Sequence, residues 1–359
     1  MARYSKVGIF GVGLLGGSVA LAIKERLLAE ELHGYDRDPE ALAKGIAVGA
    51  LDQAHAELAP WIGDLELGIL AVPVGDIANL ASSIASYAHP STLWTDVGSV
   101  KAPLLEPLRE VFPRYVGGHP MAGSERAGVE NAHSGLLHNA IWAITPGTDA
   151  NRQDVEELGD LVQSLRAVAL VLTPELHDRL VARVSHLPYL LAVALNLLVD
   201  RDPERDLLIS LAAGGFRDIT RVASGSVRMS RDMVSQNQAA VAGALADLRA
   251  ILNELEATLA DPGHLASLGE AAKRTRDSLP IVQRSLLPRI FDLVVQVPDQ
   301  PGEVARVTAA IASRGLNIRD IEVLAIREEG GAVRIGFRTQ EERDQARKVI
   351  AEAGYQVAR

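Results

Sequence analysis

The stretch 11-GVGLLGGS-18 follows the apolar run 6-KVGIF-10 without a break. Three glycines, Gly11, Gly13 and Gly16, stand in the order G-x-G-x-x-G, with Leu14 and Leu15 between the second and the third. Glycine-rich turns are common, and the pattern alone says little. Its setting says more: it closes a predicted strand, opens the apolar helix 17-GSVALAIKERL-27, and lies 20 residues before Asp36, counted from Gly16, at the end of a second predicted strand, 32-LHGYD-36. In such a unit Gly11 permits the tight turn, Gly13 lets a pyrophosphate approach the backbone, and Gly16 allows helix and strand to pack closely, while the helix N-terminus attracts the phosphates. Asp36 accepts hydrogen bonds from both ribose hydroxyls and repels a 2'-phosphate, which points to NAD as cofactor. The neighbouring Arg37 leaves a 2'-phosphate-binding alternative open.

Outward from this unit, short apolar runs alternate with amphipathic segments. The runs 65-LELGILAVPV-74, 92-TLWTDV-97, 114-RYVGG-118, 140-AIWAITP-146 and 167-AVALVLT-173 read as further strands. The alternation predicts a mostly parallel sheet covered by helices on both faces, a Rossmann-like dinucleotide-binding domain over residues 1–172. The character changes at Thr173, which reads as an N-cap followed by Pro174 at the first helical position. From there 173-TPELHDRLVARVSHLPYLLAVALNLLVD-200 is helical and very apolar, and a long helix is expected from about Ser235 to Leu259. An all-α domain over 173–270 whose helices are apolar on more than one stripe calls for packing against a second copy, and a homodimer is expected. The basic, proline-punctuated segment over 271–289 reads as a linker with a short helix. Residues 290–359 restart as strand, helix, strand, strand, helix, strand, a βαββαβ module with a hairpin around Gly330 and Gly331.

Composition narrows the function. A chain of 359 residues with 48% hydrophobic content suits two or three domains. A net charge of -10 argues against a nucleic-acid partner. The chain has no cysteine, which excludes disulfides, thiolate catalysis and Cys-type zinc sites. With no run of eighteen apolar residues, and an N-terminus that moves directly into a strand, the expectation is a cytoplasmic protein without a membrane partner, acting on a small molecule.

Nine histidines are present. His33, His55, His89, His133, His138 and His264 have ordinary readings in strand or polar surroundings, and no HExxH or carboxylate cluster supplies metal-ligand spacing, so no metal is expected. His119, in 117-GGHPMAGSE-125, is different: it follows the predicted strand 114-RYVGG-118 at the carboxyl edge of the sheet, where open α/β folds bind ligands. Ser99, in 96-DVGSVK-101, ends the preceding strand at the same edge, within reach of the imidazole or a substrate. Ser185 and Tyr189 share a helix face, with His186 beside them, and Arg221 follows a glycine-rich turn where a guanidinium suits a carboxylate substrate.

Taken in order, 11-GVGLLGGS-18, 96-DVGSVK-101, 117-GGHPMAGSERAG-128, 173-TPELHD-178, 184-VSHLP-188 and 214-GGFRDITRVA-223 resemble the prephenate dehydrogenase family of tyrosine biosynthesis. The resemblance implies NAD-dependent oxidative decarboxylation of prephenate, with His119 as the proton acceptor, Ser99 orienting it, Arg221 anchoring a substrate carboxylate, and Ser185 and His186 in a helical substrate motif. Tyr189 stands where some members carry a second histidine, which leaves arogenate open as substrate. A β-hydroxyacid dehydrogenase of similar layout needs a lysine in the helical region, and residues 173–261 contain none. A sensor with a vestigial nucleotide domain is a third reading, opposed by the intact glycines, Asp36 and His119. The tail, with 297-VPDQPGEVARV-307 and 315-GLNIRDI-321, resembles an ACT-type amino-acid-sensing domain. That resemblance implies tyrosine as effector, held at Asp299, Gly302 and Asn317.

Overall fold

The computed structural model describes residues 2–123, 126–278, 291–298, 300–327 and 330–357. Two compact units divide the chain, residues 1–284 and 285–359.

In the first unit strands and helices alternate: β1 (Tyr4–Phe10), α1 (Leu14–Glu25), β2 (Ala29–Tyr35), α2 (Pro39–Ala47), β3 (Gln53–His55), β4 (Leu67–Leu70), α3 (Val74–Ile84), β5 (Leu93–Asp96) and α4 (Ala102–Val111). The five strands form a parallel sheet in the order β3-β2-β1-β4-β5. The direction of growth reverses between β1 and β4, which opens a crevice at their carboxyl ends. Helices cover both faces, so the central strands are buried on each side: Val7, Ile9 and Ile69 join one core with the α1 residues Val19 and Ile23, while Phe10, Leu70 and Trp94 join another with the α3 residues Ile77 and Ile84.

A second sheet follows, built from β6 (Gly117–Pro120), β7 (Ile141–Thr145) and β8 (Val168–Val171), with α5 (Arg152–Ser164) between the last two. β6 runs antiparallel to β7, and β7 parallel to β8. The sequence places His119 just beyond a strand; in the structure it lies inside β6, paired with Ala143. The run at Tyr115 makes only one bridge to the first sheet, at Trp94, and regular pairing begins two residues later, at Gly117.

Next come α6 (Pro174–Val181), a π-helical turn at Ala182–His186, α7 (Leu187–Asp200), α8 (Arg205–Leu211), α9 (Gly214–Thr220), α10 (Val227–Gln236), α11 (Gln238–Ala257) and α12 (Pro262–Ser278). The Thr173 hydroxyl accepts from the Leu176 amide, and Pro174 begins α6, as the cap pattern predicts. The stretch 174–200 is long and apolar enough, by length and composition, to cross a membrane. It is not one uniform helix, because the π turn shifts its register at Ser185 and His186. The long helix expected from Ser235 is likewise interrupted, at Asn237, whose φ of -112° and ψ of 30° depart from α geometry. Its buried side chain is turned to other partners, described below. Where a linker was expected from residue 271, α12 continues to Ser278; the run 271-AAKRTRDS-278 has no proline to stop it.

The second unit comprises β9 (Phe291–Val297), α13 (Glu303–Ala312), β10 (Asp320–Arg327), β11 (Gly330–Phe337), α14 (Gln340–Glu352) and β12 (Gln356–Val357). The strands form an antiparallel sheet in the order β10-β11-β9-β12, the βαββαβ arrangement read from the sequence. Leu293, Val295 and Val333 from the strands meet Val307, Ile311 and Ile350 from the helices in its core. Thr339 and Glu342 form a reciprocal capping box at the start of α14.

Candidate active site

The glycine turn between β1 and α1 is fixed by close approaches. Gly11 has φ +107°, in the left-handed region, and a Cβ there would lie 2.5 Å from the Ala71 carbonyl oxygen. A Cβ on Gly16 would lie 2.0 Å from the Gly11 carbonyl oxygen, so only glycine lets α1 pack this closely on β1. Gly13 has no neighbour within 4 Å of where a Cβ would point, and as N-cap it offers α1 no side-chain hydrogen bond. The amides of the first turn of α1, which begins with Leu14 and Leu15, therefore face an open cradle that fits a pyrophosphate. Asp36 follows β2 immediately. Its Oδ2 accepts from the Val12 amide at 2.8 Å and its Oδ1 from the Asp38 amide at 2.9 Å, so the carboxylate ties the glycine turn to β2 while each oxygen keeps a lone pair for a ribose hydroxyl. The Arg37 guanidinium lies 3.9 Å from Asp76, whose carboxylate also takes Arg228 at 2.6 Å.

Beside the carboxyl end of β5, the strand carrying His119, β6 of the second sheet, is clamped through the residue before it. Asp96, at the end of β5, accepts from the Gly118 amide at 3.1 Å and from the Tyr115 hydroxyl at 2.8 Å. Lys101, wholly buried, pairs with Asp96 and donates to the Gly118 carbonyl at 2.8 Å. Both polar groups of Gly118 are thus held by one buried ion pair. Burial pushes the Lys101 ammonium down, opposed by Asp96, and pushes the Tyr115 hydroxyl well above its usual value, with Asp96 adding to the rise.

The partner of His119 is a residue that sequence reasoning missed. His119 Nδ1 lies 2.9 Å from Nε2 of His177, and His177 Nδ1 lies 2.8 Å from Oδ1 of Asp178. Asp178 in turn accepts from the amides of Lys101 and Ala102, each at 2.8 Å. Ser99, expected to orient the imidazole, is half-buried in the turn after β5; the hydrogen bond at Nδ1 of His119 is made with His177, on α6. His119 is held well below the usual imidazole range, first by desolvation and then by Lys101, His177 and His186. His186, in the π turn, is fully buried and lowered to about 4 by desolvation. Its Nδ1 lies 3.2 Å from the Asn237 amide nitrogen, which also donates to the Asp178 carbonyl at 2.8 Å, and its Nε2 is buried without a hydrogen-bond partner.

Ser185 and Tyr189 flank His186, both half-buried. Arg221, in the turn after α9, lines a cavity of about 510 Å³ with Val193, Asn196, Arg217 and Thr220, none of which belongs to the group around His119. A second cavity, about 610 Å³, lies at the amino end of β1 among Arg3, Tyr4, Arg114 and several carboxylates, on the opposite edge of the sheet from the glycine turn. Among the described residues no group of three or more histidines and carboxylates has metal-binding geometry. Of the expected effector residues, Gly302 has φ +92° and caps α13, Asn317 is exposed before β10, and Asp299 lies outside the described residues.

His177, Asp178, Asp96 and Lys101 all lie within quoted motifs, 173-TPELHD-178 and 96-DVGSVK-101. The available signal was chemical: a His-Asp pair opening an apolar helix, and an Asp and a Lys at the end of a fully apolar strand, are charges that burial must pair.

A glycine cradle, a carboxylate closing the second strand and an oriented imidazole at the carboxyl edge define a dinucleotide-dependent oxidoreductase. Residues 19–171 match the prephenate dehydrogenase nucleotide-binding domain, 173–270 the prephenate dehydrogenase dimerization domain and 291–352 the ACT domain. The chain is 33% identical to prephenate dehydrogenase of Bacillus subtilis (strain 168) over 355 residues, 96% of each protein. Its structure is similar to that of the A. aeolicus prephenate dehydrogenase solved with hydroxyphenyl propionate and NAD+, with TM-score 0.73 and 29% identity over 76% of this chain and 97% of that one. It is also similar to Synechocystis arogenate dehydrogenase, with TM-score 0.68 and 28% identity over 76% and 99% of the two chains. The chain belongs to the prephenate dehydrogenase family.

Proposed function

We propose that this protein converts prephenate to 4-hydroxyphenylpyruvate and carbon dioxide, reducing NAD, in the cytoplasm. The observation that carries the reading is His119, a half-buried imidazole held neutral next to a backbone amide bound by Asp96, at the carboxyl end of β5. NAD, when bound, supplies the acceptor for the hydride. The amides at the start of α1 hold the pyrophosphate and Asp36 the ribose; with Arg37 drawn toward Asp76, the site favours an unphosphorylated ribose. As hydride leaves the ring carbon bearing the hydroxyl, that oxygen becomes a carbonyl and its proton passes to His119. The ring carboxylate departs as carbon dioxide and its electron pair completes the aromatic ring, so the chain need only supply alignment.

Tyr189 favours a second substrate reading. A phenol donates a hydrogen bond to a carboxylate but carries no positive charge near neutral pH, so the substrate side chain is less tightly specified and arogenate is the alternative. Absorbance of NADH with prephenate or arogenate, each against NAD and NADP, tests the proposal; reduction with neither substrate overturns it. Repeating the assay with tyrosine tests the effector, for which the left-handed Gly302 beside the start of α13 is the structural support.

Arg221, Ser185 and His186 are proposed to hold the substrate, with Arg221 on a carboxylate. Arg221→Ala is expected to raise KM at a cost of about 1.5–3 kcal/mol, the range for a lost charged hydrogen bond, with NAD affinity unchanged. Equal losses for both ligands point instead to a folding role.

The helical region exposes Leu198 at 70%, Leu211 at 78% and Val227 at 74%. So much apolar surface on one region fits a partner of the same kind, and sedimentation of the full chain at micromolar concentration is expected to give a dimer. A monomer refutes this.

A further inference from the structure

The chain of contacts behind His119 has a fixed polarity. The ionised Asp178 carboxylate is an acceptor only, already taking the Lys101 and Ala102 amides, so His177 Nδ1 must carry a proton toward it. A neutral imidazole protonated on Nδ1 presents a lone pair on Nε2. That atom lies 2.9 Å from His119 Nδ1, which must then be the donor. The neutral His119 therefore carries its one proton on Nδ1 and a lone pair on Nε2. We infer that His177, backed by Asp178, is a positioning residue that selects the tautomer of His119 able to accept the substrate's proton at Nε2.

The surroundings reinforce this polarity. His177 is 1% exposed, so water does not compete for its ring nitrogens. The Asp178 carboxylate is gripped by two consecutive amides at the start of α4, and its carbonyl by Asn237 on the far side. The Asp178 end of the relay is therefore not free to turn over. When His119 accepts a proton it becomes a cation in a site that already contains buried Lys101, and the His177–Asp178 pair offsets that charge through the shared hydrogen bond.

The inference rests on His119 as base, and the test separates the two claims. An asparagine at 177 places its amide near the former Nδ1, which keeps the Asp178 contact but falls short of His119; a glutamine reaches the former Nε2 and supplies an acceptor there. Nitrogen-15 spectra of the ring-labelled full-length enzyme read the tautomer directly. Wild type is expected to show His119 protonated on Nδ1 alone. His177→Asn is expected to show mixed tautomers and a kcat lowered several-fold, in proportion to the fraction of His119 left with Nε2 unprotonated, with unchanged NAD affinity and little change in KM. His177→Gln is expected to restore the single tautomer and most of the rate. A wild-type His119 protonated on Nε2, or a single Nδ1–H tautomer surviving in His177→Asn, overturns the relay. Mixed tautomers with full turnover in His177→Asn leave the relay standing and overturn His119 as the base.

Discussion

His119→Asn is expected to lower kcat by about 10²- to 10⁴-fold while leaving NAD binding intact. The asparagine amide falls near the former Nδ1 and keeps a donor toward His177 Nε2, so the surrounding geometry survives. What is lost is the acceptor at Nε2. The pH dependence of the wild-type enzyme provides a second check. Desolvation, with Lys101, His177 and His186, lowers the imidazole well below its usual value, so the base is already deprotonated at neutral pH. The acid limb of kcat/KM is then expected below pH 6.5, with activity falling as pH drops and flat above it. Near-normal turnover in His119→Asn, or an acid limb above neutrality, rules the residue out as the base.

Lys101→Met is expected to cost about 3–5 kcal/mol of stability, the usual result of removing one member of a buried ion pair. Lys101 and Asp96 are both wholly inaccessible, and methionine fills a similar volume without the charge. Asp96 keeps the Gly98 and Gly118 amides and the Tyr115 hydroxyl as donors, which places the loss toward the lower end of that range. Denaturant unfolding of the full chain measures it. Adding Asp96→Asn to Lys101→Met removes the stranded charge and is expected to recover part of the loss; no recovery, or a single-variant cost under about 1 kcal/mol, contradicts a buried ion pair. Activity is expected to fall as well, because the Gly118 carbonyl loses its donor one residue before His119.

The nucleotide half of the site was legible because its constraints are local. A Cβ at Gly11 or Gly16 collides with backbone within the same strand-turn-helix unit or the adjacent strand end, so the glycine spacing alone carries the geometry. His119 was legible for a related reason, as a lone imidazole between glycines and a proline at a sheet edge, although its place inside β6 depends on pairing with β7 more than twenty residues away. The relay was not legible. His119 and His177 are 58 residues apart, and Asp178 meets Lys101 from 77 residues away; nothing in the periodicity of either segment says that they touch. Ser99 was read as the orienting residue because it ends the preceding strand at the same sheet edge and the family resemblance implies that role; the partner at Nδ1, which folding brings from α6, left no such mark in the sequence. The break at Asn237 was hidden likewise. An asparagine in a helical pattern reads as tolerated, and only its two buried partners, Asp178 and His186, explain the interruption.

The grip of the α4 amides on Asp178 has a mechanical side. Asp178 belongs to the helical region, is stapled to the start of α4 by two amides, and is held from behind by Asn237 at the junction of α10 and α11. Such a staple ties segments far apart in the chain at one buried point, so the contacts that dock α6 on the start of α4 are the same contacts that fix the ring of His177 against His119.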